Sequence, residues 1–435
     1  DQAQAGTPEG QGPVEIDKEL ARHLENKREE LFEKFEIPYE FPPEVLEEAQ
    51  QRTEGVTAEI QAELDSRTDL RDLTTWTTDP VDAQDFDDAL SVEEREDEYV
   101  LWVPIAGVSH YVHPDTAMWW GARDRGNRVY LPGRTFHMLP PILAETVCSL
   151  VPEEDRLAHT VEMHLDKNDL GYDEIDIYKS VIRSDARLTY TECEDILEEP
   201  GAAAEFLEDP GLLEEVDLGG KNRLVWELAE EMHEQRKADG SLVLNPRRDR
   251  AHTIIEECML KANKAVTHEL MWSRRTEAMY RVHPQPSPDE WSEALREIQN
   301  LDGVSVPGDK WSEPRKAVNA TLEEAPERQL DQIQWAVMKV MPRAKYMHDP
   351  FGGHHALNFE IYGHFTSPIR RLSDLVNHWI VATNEMFDDL VALCDHASER
   401  QQDAESCERE YKKFLEEVGL DAAAINNRGI EVVEE

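Results

Sequence analysis

The sequence predicts a single large α+β domain, a central β-sheet system wrapped by helices. Two strand-like blocks point to the sheet. Residues 99–112 (YVLWVPIAGVSHYV) form a β-rich run, and the stretch from Leu157 to Ser184 alternates apolar and polar positions around a turn at Asn168 to Gly171, as a hairpin does. Helical periodicity at both ends and through most of the second half supplies the wrapping layer. The 435 residues are 40% hydrophobic, which permits a substantial core and excludes a wholly disordered chain.

Taken in order, residues 1–14 are rich in Gly, Gln, Pro and Ala and are expected as a disordered lead. Asp17 then offers an N-cap to a helix whose Leu20, Leu24, Leu31 and Phe35 share a face, and Pro38 ends it. Pro42 and Pro43 introduce a second helix from about Glu44 to Leu64, so residues 15–70 read as a helical extension packing on the domain that follows, 71–419. After the strands, helix is expected from Thr191 to about Ala238. Its acidic middle, Glu198 to Gly220, carries Pro and Gly and reads as a surface excursion. Ile254 to Leu270 is strongly amphipathic, with Glu256 or Glu257 turned from the Ile/Met/Ala side. Further helices are expected over 289–301, 330–341 and 397–419, and residues 420–435 as an acidic tail. There is no internal repeat.

The net charge of −48 comes from 93 acidic residues spread from end to end. Diffuse acid suits a surface working at very high salt, where hydrated carboxylates keep the protein soluble and self-repulsion is screened, so a halophilic protein is expected. The same charge opposes a nucleic-acid partner in dilute buffer. At molar salt the Debye length falls to about 3 Å, and contact-range metals, buried Arg and base stacking must carry such binding instead. Five scattered cysteines with no CxxC pair read as reduced thiols of a cytoplasmic protein. Neither a membrane-spanning apolar run nor a signal sequence is found.

Three stretches hold the chemistry. In residues 77–90, TTDPVDAQDFDDAL, Asp79, Asp85, Asp87 and Asp88 fall within ten residues, flanked by apolar and aromatic side chains. Packed carboxylates suit a hard divalent cation, which takes protein oxygens together with water and substrate phosphate; a solvated acidic loop is the alternative in so acidic a chain. Residues 119–134, WWGARDRGNRVYLPGR, interleave Arg123, Arg125, Arg128 and Arg134 with Trp119, Trp120 and Tyr130. Such an island can grip phosphates and stack bases, or simply pair with neighbouring acids. NPRRDR at 245–250 is a second basic island. Downstream, Thr366-Ser367-Pro368 reads as a helix start that puts Arg370 and Arg371 in the first turn. Cations there oppose the helix dipole, which an anion bound at the same place would relieve; a plain Arg370–Asp374 pair is the alternative.

With these stretches in view, the chain resembles the ribonuclease II/ribonuclease R family, whose catalytic unit is the RNB domain. TTDPVDAQDFDDAL is similar to the family's TIDPxxAxDxDDA signature, and GHFTSPIRRLSDL to HFTSPIRRYxDL. VSHYV, RVYLPGR, CSLVPEEDR, RLTY, EECMLKAN, YRVHPQP and GGHHAL fall between them in family order, and the resemblance covers roughly residues 35 to 412.

The resemblance implies an RNB-type fold with helices enclosing an RNA channel, and a hydrolytic, processive 3′ to 5′ exoribonuclease releasing nucleoside 5′-monophosphates from single-stranded RNA. It implies a metal centre of Asp79, Asp85, Asp87 and Asp88 holding Mg²⁺, two ions in the expected arrangement, with Mn²⁺ as the alternative. Asp87 and Arg370 become the catalytic pair, Arg370 contacting the scissile phosphate. Tyr130 packs on the 3′-terminal nucleotide, Glu256 holds the terminal ribose, and Arg128, Arg371 and His364 complete the RNA-binding set. A catalytically silent RNA-binding or assembly protein on the same fold is the competing reading.

The sequence departs from the family in several places. Leu244 stands where an aromatic usually clamps the 3′ end, with Trp119 a candidate substitute, and Gly107 replaces Asp in the IADVSHYV motif. Leu372 and Trp379 replace the usual Tyr and Arg. Neither the roughly 70 residues before the Asp loop nor the roughly 20 after the last helix can hold an OB-fold. A minimal catalytic body is therefore expected, with RNA-gathering left to the channel or to accessory proteins.

Overall fold

The strands Asp155–Asp166 and Tyr172–Arg183 form a long antiparallel hairpin at the centre of a five-stranded sheet. Glu98–Ala106 pairs antiparallel beside the first of them and Ser91–Glu94 closes that edge, while the short Thr68–Asp69 lies parallel to the hairpin's second strand. The computed structural model describes residues 12–207, 216–274, 276–307 and 312–433. The sheet is buried by helices, chiefly Pro43–Glu63, Leu218–Ala238, Arg250–His268 and Leu372–Thr383, in one large hydrophobic cluster. The expected α+β class and both strand blocks are borne out.

Two smaller cores flank it. Leu24, Leu31 and Phe32 of the helix Lys18–Lys34 pack with Tyr411 and Leu415 of the helix Leu390–Glu417. The helices Pro288–Gln299, Pro314–Glu324 and Glu327–Val340 enclose Trp291, Leu295 and Val337, in a lobe inserted between the paired strands Tyr280–Val282 and Lys345–Met347. Asp17 caps the first helix as expected, accepting from the Leu20 amide at 2.7 Å.

Four expectations change. Within the expected lead Val14 is a strand residue: Val14–Ile16 pairs in parallel with Ile430–Val432, and Ala422–Arg428 is a helix that buries Ile425, so the expected tail folds back over the first helix. Residues 1–11 of the lead lie outside the described residues. The described parts of the acidic excursion are anchored, since Ala203, Leu207, Val216 and Leu218 are buried, while residues 208–215 of it lie outside the described residues. Leu372 opens its helix, four residues after Pro368. Asp374 takes the Ser367 amide and the Arg371 guanidinium, and holds residues 367–371 in a turn instead. At Gly107 a Cβ would lie 2.7 Å from the Leu157 carbonyl oxygen, so the strand pair passes too closely here for the aspartate of the related motif.

Candidate active site

The Asp loop is tied to strands at both ends, the first in a separate two-stranded ladder and the second along the edge of the five-stranded sheet's strand Glu98–Ala106. Trp76–Asp79 pairs in parallel with Ala186–Thr189, bringing Asp79 opposite Thr189, and Trp76 and Leu90 exchange backbone hydrogen bonds. The Ala89 amide donates to the Pro104 carbonyl and the Ala106 amide to that of Asp87, so Asp87 and Asp88 lie along the neighbouring strand Glu98–Ala106. Between them, Ser149 accepts from the Phe86 amide at 2.9 Å and donates to the Gln84 carbonyl at 2.8 Å. Apolar flanks sink this backbone: Trp76, Phe86, Ala89 and Leu90 are all buried. An acidic loop would spread if it were solvated; this one has its backbone hydrogen bonds satisfied and its carboxylates directed at one cavity.

That cavity, of about 550 Å³, brings together residues far apart in the chain. Asp79, Asp85, Asp87 and Asp88 line it, with Asp82 beside them. Arg370, Arg371, Arg128, Tyr130 and Glu256 complete its wall from the segments the sequence singled out. Asp87 is 5% exposed, accepts from the Ile369 amide at 2.8 Å and stands 3.6 Å from the Arg370 guanidinium. Thus the turn 367–371 reaches the Asp loop through both backbone and side chain. Arg128 pairs with Asp85 and its guanidinium lies 4.9 Å from the centroid of the Tyr130 ring, which is itself 44% exposed.

Of the four carboxylates, Asp85 is hydrogen-bonded to a cation, Arg128, whereas Arg370 stands 3.6 Å from Asp87. Burial, with Asp88 and Asp87 nearby, raises Asp79 well above the ordinary carboxylate range; burial raises Asp87 likewise, against the pull of Arg370. Burial pushes Asp88 up to about 6, opposed by Arg370 and Arg371. Asp79 Oδ2 and Asp85 Oδ1 are buried with no hydrogen-bond partner. Buried, mutually repelling carboxylates with idle oxygens fit a bound cation, which supplies the missing charge and takes the idle lone pairs. Among the described residues no group of three or more His, Cys, Asp or Glu side chains is disposed to hold an ion as it stands. A hard divalent cation that takes one or two carboxylates and completes its shell with water and phosphate would need no larger group.

Other expected residues are redistributed. His364 does not line the cavity: its Nδ1 bonds the Tyr346 hydroxyl at 2.9 Å, and its ring packs edge-on against Tyr362. Burial holds it well below the usual histidine range, so it is a neutral support behind the wall. Arg371 reaches the cavity but is bound at two points by Asp374. The Arg/aromatic island divides in the same way. Arg123 pairs with Asp389 and Arg134 with Glu25, while Arg125 is buried under Phe41, leaving Arg128 and Tyr130 at the cavity. Trp119 is buried in a stack on Phe387 and cannot replace the missing clamp, and Leu244 packs against the three-helix lobe.

Glu256 lines the cavity and pairs with Arg236 and Arg248, whereas Glu257 is buried, so only Glu256 of that pair is available to a ligand. Sequence reasoning missed the ring pair Tyr190 and His252, stacked with centroids 3.7 Å apart on the cavity wall. It also missed Arg187, the cation that opposes the rise at Asp79. Tyr190 ends the RLTY segment and His252 lies between NPRRDR and EECML, and neither carried a residue-level signal.

The RNB-domain family model matches residues 67–385. The chain belongs to the RNB-domain family. Ribonuclease R of Escherichia coli is 34% identical over 329 residues, covering 72% of this chain and 39% of the relative. Among solved structures, Mycoplasma genitalium RNase R in complex with ribose-methylated single-stranded RNA superposes with a TM-score of 0.78 at 24% identity, over 90% of this chain and 64% of that one. Yeast Ssd1, described as a pseudonuclease, shares the fold at a TM-score of 0.67 and 21% identity, over 80% of this chain and 45% of its own. This chain thus spans less than half the length of the ribonuclease R relative, and its RNB fold is common to nucleases and to a pseudonuclease.

Proposed function

We propose that this RNB protein is a metal-dependent, hydrolytic 3′ to 5′ exoribonuclease that releases nucleoside 5′-monophosphates from single-stranded RNA ends. One observation carries the reading: four aspartates, of which Asp85 and Asp87 are buried and Asp79 and Asp85 have idle oxygens, face Arg370 across a cavity that also presents an exposed ring, Tyr130. Asp79, Asp85, Asp87 and Asp88 would hold Mg²⁺, or Mn²⁺, which when bound lowers the pKa of the attacking water and offsets charge developing on the phosphate. Arg370 stabilises that added charge from the other side, its place set by Ser367 and Asp87. Tyr130, carried on the hairpin of Val129–Leu131 and Arg134–Phe136, stacks on the terminal base. Glu256, held by Arg236 and Arg248, accepts from the terminal ribose 2′-hydroxyl and so favours RNA over DNA.

The pseudonuclease relative keeps a silent RNA-binding protein in view as a second reading. Idle, mutually repelling carboxylates count against it, because a binding module gains nothing from their electrostatic cost. The test is single-stranded RNA with Mg²⁺ in molar KCl, beside an Asp87→Asn variant. Release of 5′-monophosphates that stops in the variant supports the enzyme; RNA binding without turnover in both supports the silent reading. A DNA strand degraded as fast as RNA would remove the role given to Glu256.

Accessory RNA-binding proteins are proposed as partners that would gather RNA for the cavity. The diffuse charge of −48 supports a halophilic protein. Activity that peaks in dilute buffer and vanishes in molar KCl would contradict this. The five cysteines are all buried thiols, which suits a reducing cytoplasm. No helix of the described residues is long and apolar enough to cross a membrane.

A further inference from the structure

Arg370 and Arg371 are adjacent, yet the fold treats them oppositely. Arg371 donates from Nε and Nη2 to both oxygens of Asp374, at 2.9 and 2.7 Å, and its side chain is 19% exposed. Asp374 is fully buried and also accepts from the Ser373 hydroxyl at 2.9 Å and the Ser367 amide at 2.8 Å. Arg370, 39% exposed at its side chain, has no such partner: it donates to the Ser367 hydroxyl at 2.9 Å and stands 3.6 Å from Asp87. Ser367 is therefore the joint, its amide held by Asp374 and its hydroxyl holding Arg370. Asn263 pins the approach, its Oδ1 accepting from the Phe365 and Thr366 amides at 2.7 and 3.2 Å.

We propose that Asp374 is a positioning residue that sorts the two arginines: it neutralises Arg371 at the cavity wall and, through Ser367, fixes Arg370 beside Asp87. The electrostatics favour such sorting. A second unpaired arginine in the cavity would bind RNA phosphates wherever they passed, tightening ground-state binding without adding stabilisation specific to the reacting phosphate. A bidentate, fully buried carboxylate removes that charge at short range, where molar salt does not screen it. Arg370 keeps a geometry defined by one hydroxyl and one carboxylate, and remains exposed enough to meet a ligand.

This inference rests on the nuclease reading, but part of its test is independent of turnover. Single-stranded RNA affinity is measured over a tenfold range of KCl for wild type, Asp374→Asn and the double variant Arg371→Gln/Asp374→Asn. Releasing Arg371 should tighten binding and steepen the log–log salt dependence by about 0.7, the value of one phosphate contact on a single strand. The double variant should return to the wild-type slope. An unchanged slope in Asp374→Asn, or one equally steep in both variants, overturns the sorting.

In turnover, Asp374→Asn should lower kcat roughly 10- to 100-fold while KM falls, whereas partial unfolding lowers the apparent kcat and leaves KM unchanged. Ser367→Ala leaves the buried pair intact and decides the second half of the proposal even if Asp374→Asn does not fold. Its kcat should fall with the thermal midpoint unchanged, and should fall no further when Arg370→Ala is already present. Additive losses in that cycle overturn the link through Ser367. Wild-type protein that binds RNA but never cleaves it refutes the nuclease reading, and the salt slopes still judge the sorting.

Discussion

Two groups of acids, one on the cavity wall and behind it and one in the Asp loop, stand under opposite conditions. On the helix Arg250–His268, Glu257 accepts from His233 Nδ1 at 2.8 Å and from two nitrogens of Arg236, and Glu256 beside it is gripped by Arg236 and Arg248. Burial alone would raise Glu257, but the bonds from His233 and Arg236 hold it below the ordinary range. The Asp loop is the reverse, with Asp79 and Asp87 raised and oxygens of Asp79 and Asp85 idle. Both groups are desolvated; the glutamates offset this through hydrogen-bonded cations, the aspartates in part, through Arg128 on Asp85 and the Ile369 amide on Asp87. Acids with their partners in place position other groups, whereas acids with idle oxygens are where a cation would be held under the proposed function.

That contrast breaks or sharpens at particular residues. The largest effect is expected at Asp87→Asn: loss of product release on the order of 10³-fold, with the unfolding midpoint kept or raised because a buried like charge is removed while the Ile369 amide keeps an acceptor. A variant that loses both activity and stability would place Asp87 with the structural acids. Glu257→Gln should behave oppositely, costing about 3 kcal/mol in urea unfolding because Arg236 is left buried with its main counter-charge gone. Stability within about 0.5 kcal/mol of wild type would show the pair to be ordinary surface pairing. Tyr130→Ala should weaken binding of short RNA about tenfold and leave unfolding unaltered, since the exposed ring contributes stacking and little to the core.

The smallest effect is a pH dependence unrelated to the cavity acids. Burial pushes His378 down to about 4, and its Nε2–H donates to the Phe365 carbonyl, so it is neutral in the fold. The unfolded chain takes up a proton near 6.5 that the folded one refuses. Stability from this group is complete above pH 6.5 and is lost as pH falls toward 4, by about 1 kcal/mol at pH 5.5. His378→Gln should flatten that part of the urea-midpoint profile; an unchanged slope assigns the acid sensitivity elsewhere.

Much of the site was legible because its chemistry is written in short runs. The spacing of Asp79, Asp85, Asp87 and Asp88, and the Arg370 signature, are local patterns, and the sheet strands and most helices follow from periodicities of two and 3.6. Partner choice was not legible. Nothing in WWGARDRGNRVYLPGR distinguishes Arg128 at the cavity from Arg123 and Arg134 held by acids 266 and 109 positions away in the chain. His364 looked like a ligand-facing histidine because it lies beside the signature, yet its neighbours Tyr346 and Tyr362 keep it behind the wall.

By itself, then, the sequence determined the class of fold, the acidic and arginine segments and their joint chemistry, because backbone periodicity and side-chain type are local properties. Only the tertiary structure decided which charges are neutralised and which are left to act. That choice depends on distances between remote segments and on burial: Asp374 rather than solvent faces Arg371, Asp79 Oδ2 is left without a hydrogen-bond donor, and the helix expected from Pro368 waits until Leu372 while a turn carries Arg370 to Asp87.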